Sequence, residues 1–208
     1  VLFRSDVAVI DSGVDATHPD LTAVVGTGYD ATAAGDGRTD PNGHGTMVAG
    51  IIAAARDNGT GIAGLSDRAR VIPVRVVDSI GTGSSLDVAA GIDWAIGHGV
   101  RVVNLSLGST TADAHISAAV QRAIAAGIVV VASAGNGGNV GDPANYPAAE
   151  PGVIAVASVG QTLARSTFST RATYVALAAP GEAILTTYRT ALYARGDGTS
   201  FAAAHVSA

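Results

Sequence analysis

Five short runs of mostly aliphatic residues, each ending in a polar residue or a glycine turn, constrain this chain more than any other feature. They are DVAVID (6–11), ARVIPVRVV (69–77), VRVVNLSL (100–107), IVVVASAG (128–135) and GVIAVASV (152–159). Polar residues rarely alternate within them, so they read as strands buried on both faces. Between them lie helix-patterned segments: GHGTMVAGIIAAA (43–55), SLDVAAGIDWAI (85–96) with Ser84 or Ser85 as N-cap, and ADAHISAAVQRAIAAG (112–127). Strands alternating with helices imply parallel crossovers. The expected fold class is α/β, a doubly wound, mainly parallel sheet with helices on both faces. The stretch from 170 to 195 is less regular, with short strands expected at 173–178 and 183–187. No repeat or linker interrupts the 208 residues, which are expected to form one domain.

Composition removes several classes of function. A net charge of −5 without any basic run argues against nucleic acid or an anionic membrane as partner. Asp, Arg, Gly or Asn interrupts every apolar stretch before membrane-spanning length. With no cysteine there is neither a disulfide framework nor a thiolate metal site. The opening VLFRS (1–5) runs straight into a strand and is what a common sequencing-library adapter encodes in one frame. It is expected to be foreign to the domain, with the chain cut at both ends, so a missing signal peptide carries no meaning.

In sheets of this kind function gathers beyond the carboxyl ends of the strands. The unusual polar residues fall there: Asp11 after the first run, Asn104 and Ser106 at the end of 100–107, and Ser133 and Asn136 after 128–132. The last stretch, GDGTSFAAAHVSA (196–208), sets Ser200 between a glycine turn and an alanine-rich helix start. Thr199 or Ser200 there serves either as a helix cap or, for Ser200, as a nucleophile. A nucleophile needs a base. His205, five residues along a helix, is turned roughly 140° away from Ser200. A nucleophile elbow needs its acid and histidine after the serine, yet no Asp or Glu follows Ser200 and Ala202 replaces the second elbow glycine. The order available upstream is Asp11, His44, Ser200.

Four blocks, VAVIDSGVDATHPDL (7–21), NGHGTMVAG (42–50), VVVASAGN (129–136) and GTSFAAAHV (198–206), resemble the signature blocks of the subtilisin-like serine proteases, the subtilases. The resemblance runs from about Asp6 to the end. It implies a serine endopeptidase acting through an acyl-enzyme, secreted or in the cell envelope, working as a monomer on an extended peptide or protein substrate. Asp11 then orients the histidine, His44 is the general base and Ser200 the nucleophile. Asn136 supplies a side-chain donor to the oxyanion. Singly, Asp11 has the alternative of a turn residue, His44 of a loop histidine and Asn136 of a left-handed turn asparagine. The resemblance also leaves room for a non-catalytic peptide binder of the same fold, or for an inactive piece of an active parent.

By the same resemblance Gly81, Thr82 and Gly83, and Ser106, Leu107 and Gly108, form edges that pair with the substrate as added strands. Ser133, Ala134 and Gly135, with Leu107, wall the pocket for the residue before the scissile bond, whose floor near Asn145 is left unassigned. No cofactor is needed for the chemistry. A structural calcium ion is implied at Asp20 and the loop RDNGTGI (56–62), with Asn58 ligating by its side chain and Arg56, Thr60 and Ile62 by their carbonyls. The alternative is a solvated aspartate in a turn. GTGIAG (59–64) fits G-x-G-x-x-G but follows a helix and leads into a strand, the reverse of a dinucleotide site. His18, His98 and His115 form no zinc pair, and NYP (145–147) resembles a family tract with a cis bond. Two residues depart from the family pattern: Ala204 stands where proline is usual and Phe201 where methionine is common.

Overall fold

The computed structural model describes residues 5–33 and 35–208. Seven strands form one parallel sheet: β1 Ser5–Asp11, β2 Tyr29–Asp30, β3 Ala69–Arg75, β4 Val102–Leu105, β5 Val129–Ser133, β6 Ile154–Val159 and β7 Val175–Pro180. Their spatial order is β2-β3-β1-β4-β5-β6-β7. An antiparallel pair, β8 Ile184–Tyr188 and β9 Leu192–Gly196, stands apart from the sheet. The helices are α1 His44–Ala53, α2 Ser85–Gly97, α3 Ala114–Ala125 and α4 Thr199–Ser207. None of these described helices is long and apolar enough to cross a membrane.

Period-two geometry sends alternate residues of β1 to opposite faces, and both faces are dry. Ala8 and Ile10 pack with α2 and α3 in one core, while Val7 and Val9 pack with α1 and α4 in another. Ile10, Ile92 and Leu105 are fully buried. Each such side chain stabilises the fold by about 1.5–3 kcal/mol.

From β1 the chain passes to the edge strand β2, returns inward to β3, and then crosses to β4 on the other side of β1. The order therefore reverses at β1, where a crevice opens at the carboxyl edge. Ile10 pairs with Leu105, and Leu105 with Ala132. The residues that follow them, Asp11, Ser106 and Ser133, consequently leave the sheet side by side.

The structure differs from the sequence reading in a few places. The strand expected over 100–107 is paired only from Val102 to Leu105, because the chain leaves the ladder at Ser106. The third helix starts at Ala114, since the Asp113 carboxylate caps it by accepting from the N–H groups of His115 and Ile116. The strands expected at 173–178 and 183–187 lie at 175–180 and 184–188. Two were not foreseen: β2 is too short to show a period, and β9 has no buried residue to mark a strand face. The reading of VLFRS as foreign sequence lies outside the described residues except for Ser5, which opens β1 opposite Ala69.

Candidate active site

Asp11 closes β1 and is only 2% exposed. A carboxylate so buried needs donors. The Ser12 N–H donates to Oδ1 at 2.8 Å, and His44 Nδ1 lies 2.8 and 2.9 Å from the two oxygens. A carboxylate only accepts, so neutral His44 carries its proton on Nδ1 and keeps Nε2 as a free acceptor. Burial acts to lower the His44 pKa. The charge of Asp11, its hydrogen bond and the charge of Asp40 together outweigh burial, and the pKa lies above its ordinary 6.5.

His44 is the first residue of α1, and that helix start is built by a residue the sequence reading passed over. Gly43, the N-cap, sits at φ +107 and has no side chain with which to cap; a Cβ there would meet the Tyr188 ring at 2.2 Å. Asp40 supplies the cap from outside. Its carboxylate accepts from the N–H groups of Asn42, Gly43 and Thr46 at 3.0, 2.7 and 2.9 Å, and from the Thr46 hydroxyl at 2.6 Å. The signal was an aspartate four residues before a helix-opening histidine, the reach from which a carboxylate meets first-turn donors.

Ser200 lies in the first turn of α4 and is 9% exposed. Neither Thr199 nor Ser200 caps this helix; the N-cap is Gly198, with no side-chain bond. The Thr199 N–H and hydroxyl instead both donate to Asn136 Oδ1, at 3.0 and 2.9 Å, while Thr199 Oγ1 accepts from the Gly135 N–H at 3.2 Å. With Oδ1 held twice, Asn136 presents Nδ2 beside Gly198, and that amide nitrogen makes no hydrogen bond among the described residues.

Ser106 clasps the serine from the other side. The Ser200 hydroxyl donates to the Ser106 carbonyl at 3.1 Å, and the Ser106 hydroxyl donates to the Ser200 carbonyl at 3.0 Å. Asn104 Nδ2 donates to the Ser106 hydroxyl oxygen, and Ser207 Oγ donates to Asn104 Oδ1. Four buried polar side chains are thereby satisfied in one network running through β4 and α4.

A cavity of about 600 Å³ starts at Asp11 and His44. Gly81 and Gly83 line it, as do Ser106, Leu107 and Gly108, followed by Val88, Ile116 and Tyr146 farther along. Thr82 does not line it, and neither do Ser133, Ala134 or Gly135, which are buried. Asn145 sits between the two segments expected to wall a pocket. A Cβ on Gly108 would come within 2.5 Å of Asn145 Nδ2, and one on Gly135 within 2.8 Å of its Cβ. Asn145 Nδ2 donates to the Ser133 carbonyl at 2.9 Å. The Tyr146–Pro147 bond that follows is cis.

The profile of the subtilase family matches residues 5–208. The chain belongs to the subtilase family. This subtilase is 45% identical to thermitase of Thermoactinomyces vulgaris over 97% of its own length and 71% of the relative's. It is 42% identical to the minor extracellular protease Epr of Bacillus subtilis, over 97% of this chain and 30% of the other. For subtilisin E of the same organism the identity is 39%, over 97% of this chain and 53% of the other. Among solved structures, a cold adapted subtilisin-like serine proteinase superposes with a TM-score of 0.88 at 31% identity, covering 99% of this chain and 73% of that one. The chain thus spans between about a third and three quarters of the relatives it matches, and family membership places it among serine-type endopeptidases.

Asp20, Arg56, Asn58, Thr60 and Ile62 do not line the cavity. The Asp20 carboxylate accepts from Asn58 Nδ2, the Ile62 N–H and the Tyr193 hydroxyl, and the Arg56 guanidinium donates to the carbonyls of Gly64 and Leu65. The sequence reading did not single out Tyr193.

Proposed function

We propose that this chain carries the catalytic apparatus of a secreted serine endopeptidase, with Asp11, His44 and Ser200 as its triad and Asn136 as oxyanion donor. The carrying observation is the Asp11–His44 contact at 2.8 Å, which leaves Nε2 basic, together with Asn136 held by Thr199 so that its amide hydrogens face the turn of the nucleophile. The extracellular description of the Epr protease supports a secreted setting.

The peptide lies extended along the glycine-lined edges at Gly81, Gly83 and Gly108, as one domain's added strand, and meets the site as a monomeric enzyme's substrate. The Ser200 hydroxyl swings from the Ser106 carbonyl to His44 Nε2, a tightening usual on substrate binding. Oγ attacks the scissile carbonyl carbon as its proton passes to Nε2, and Asp11 stabilises the resulting imidazolium. Negative charge on the carbonyl oxygen meets Asn136 Nδ2 and the Ser200 N–H. Collapse breaks the C–N bond, the amine takes the proton from Nε2, and an acyl-serine remains. Water, deprotonated by the same histidine, hydrolyses it and restores Ser200. No cofactor enters these steps.

The test is labelling with a fluorophosphonate probe. Covalent label on Ser200 in the parent chain, lost in Ser200→Ala, is the expected result. A folded chain that binds peptides but takes no label would mark a non-catalytic member of the fold.

A further inference from the structure

The resemblance places calcium at the loop 56–62, and the geometry there does not fit it. Calcium takes about 6–8 oxygen ligands. Asp20 is the carboxylate assigned to it, and both its oxygens already face hydrogen-bond donors. Asn58 Nδ2 donates to Oδ1 at 2.8 Å, while the Ile62 N–H and the Tyr193 hydroxyl donate to Oδ2, each at 2.9 Å. The Asn58 amide cannot turn over to offer its oxygen. Its Oδ1 accepts from the Thr60 N–H at 3.0 Å, so turning would set NH2 against N–H and oxygen against carboxylate. The phenol also fills the space across the loop. Gly61 sits at φ +55, and a Cβ on it would stand 2.0 Å from the Tyr193 oxygen and 2.2 Å from Asp20 Oδ2. Among the described residues no group of three or more Asp, Glu, His or Cys side chains converges on a metal position.

We infer that Asp20 is a metal-free hydrogen-bond hub, and that Tyr193 takes the place of a cation in tying the loop 56–62 to β9. The buried His18 completes the latch. Its Nδ1 accepts from the Asp20 N–H at 3.1 Å, so Nε2 carries the proton and donates to the Leu192 carbonyl at 3.0 Å; its ring meets Tyr193 edge-on at 5.1 Å. β9 ends at Gly196, four residues before Ser200. The hub is therefore a positioning element for the strand that delivers the nucleophile, and Asp20 and Tyr193 act through β9 without touching substrate.

Thermal melts of the chain and of Tyr193→Phe, each with chelator and with millimolar calcium, test this together with terbium luminescence. The parent is expected to melt at one temperature in both media and to give no saturable, tyrosine-sensitised terbium emission. Tyr193→Phe is expected to melt roughly 3–12 °C lower in both, because a bond to a carboxylate is lost. It should also speed amide exchange at Gly61–Ile62 and at Leu192–Gly196 together, a coupling that loss of packing at one place would not produce. Saturable calcium stabilisation of the parent, or terbium emission that disappears in Tyr193→Phe, overturns the inference, as does a variant that melts and exchanges like the parent. None of these readouts requires catalysis, so they stand or fall separately from the role of Ser200.

Discussion

Thr199→Val keeps the shape of the side chain and removes one hydroxyl, which makes it the sharpest probe of how Asn136 is aimed. In the structure that hydroxyl donates to Asn136 Oδ1 at 2.9 Å and accepts from the Gly135 N–H at 3.2 Å. The backbone N–H of Thr199 still donates to the same oxygen at 3.0 Å, so the amide is loosened without being released. One neutral hydrogen bond is worth about 0.5–1.5 kcal/mol, which corresponds to a fall of roughly 2–10-fold in kcat. Asn136→Leu removes the donor itself and should cost about 10²–10³-fold, the figure established for such a donor in subtilisin and borrowed here. The orphaned Gly135 N–H adds a separate penalty of about 1–3 kcal/mol in stability. Kinetics must therefore be read well below the melting point. Thr199→Ser keeps both bonds and should restore kcat and most of the stability. The assay is hydrolysis of a chromogenic peptide by the two single variants and the double variant. Since Thr199 acts through Asn136, Thr199→Val should cost nothing further once Asn136 is leucine. A loss of kcat in the Asn136→Leu background equal to that in the parent would refute the reasoning.

The raised His44 pKa puts the acid limb of kcat/KM above pH 6.5, since the base must be unprotonated; Asp11→Asn should move that limb to lower pH while cutting the rate by about 10⁴-fold, a loss typical of triad aspartates, and a limb that stays put would contradict the assignment. For stability the sign is opposite: the fold favours protonated His44, so its contribution is full below about pH 6.5 and is lost as the pH rises through the folded value, a difference visible in the melting of the parent against His44→Gln. The single methionine, Met47, is 8% exposed and Phe201 follows Ser200, the proposed nucleophile, so peroxide should leave the activity intact, with mass spectrometry finding Met47 oxidised only after unfolding. Asn145→Gly clears the gap between Gly108 and Gly135 and is expected to raise kcat/KM for phenylalanine over alanine before the scissile bond by roughly 10-fold or more, measured on matched peptide anilides.

Much of this protein is written locally. A run such as DVAVID has one stable use, as a strand dry on both faces, and five such runs, the first four separated by helices, leave little but a parallel sheet. The same argument puts Asp11, Ser106 and Asn136 at strand ends, and the structure brings those ends together because β1, β4 and β5 are neighbours. The sequence also carried the order Asp11, His44, Ser200, since each sits in a block with its own turn and helix signals. What it could not determine is where side chains without a local partner find one. Thr199 has the look of a cap by its position, yet its partner is Asn136, 63 residues away. Tyr193 lies in an irregular polar stretch and meets Asp20 across 173 residues. Asn145 acquires its role by standing between two glycines that the sheet order sets side by side. Propensity and period act over a few residues, whereas a buried carboxylate or amide takes whichever donor the packing delivers. The frame of this subtilase therefore follows from local pattern, whereas the hold of Thr199 on Asn136 and the convergence of Asn58, Ile62 and Tyr193 on Asp20 were decided only when distant segments closed on one another.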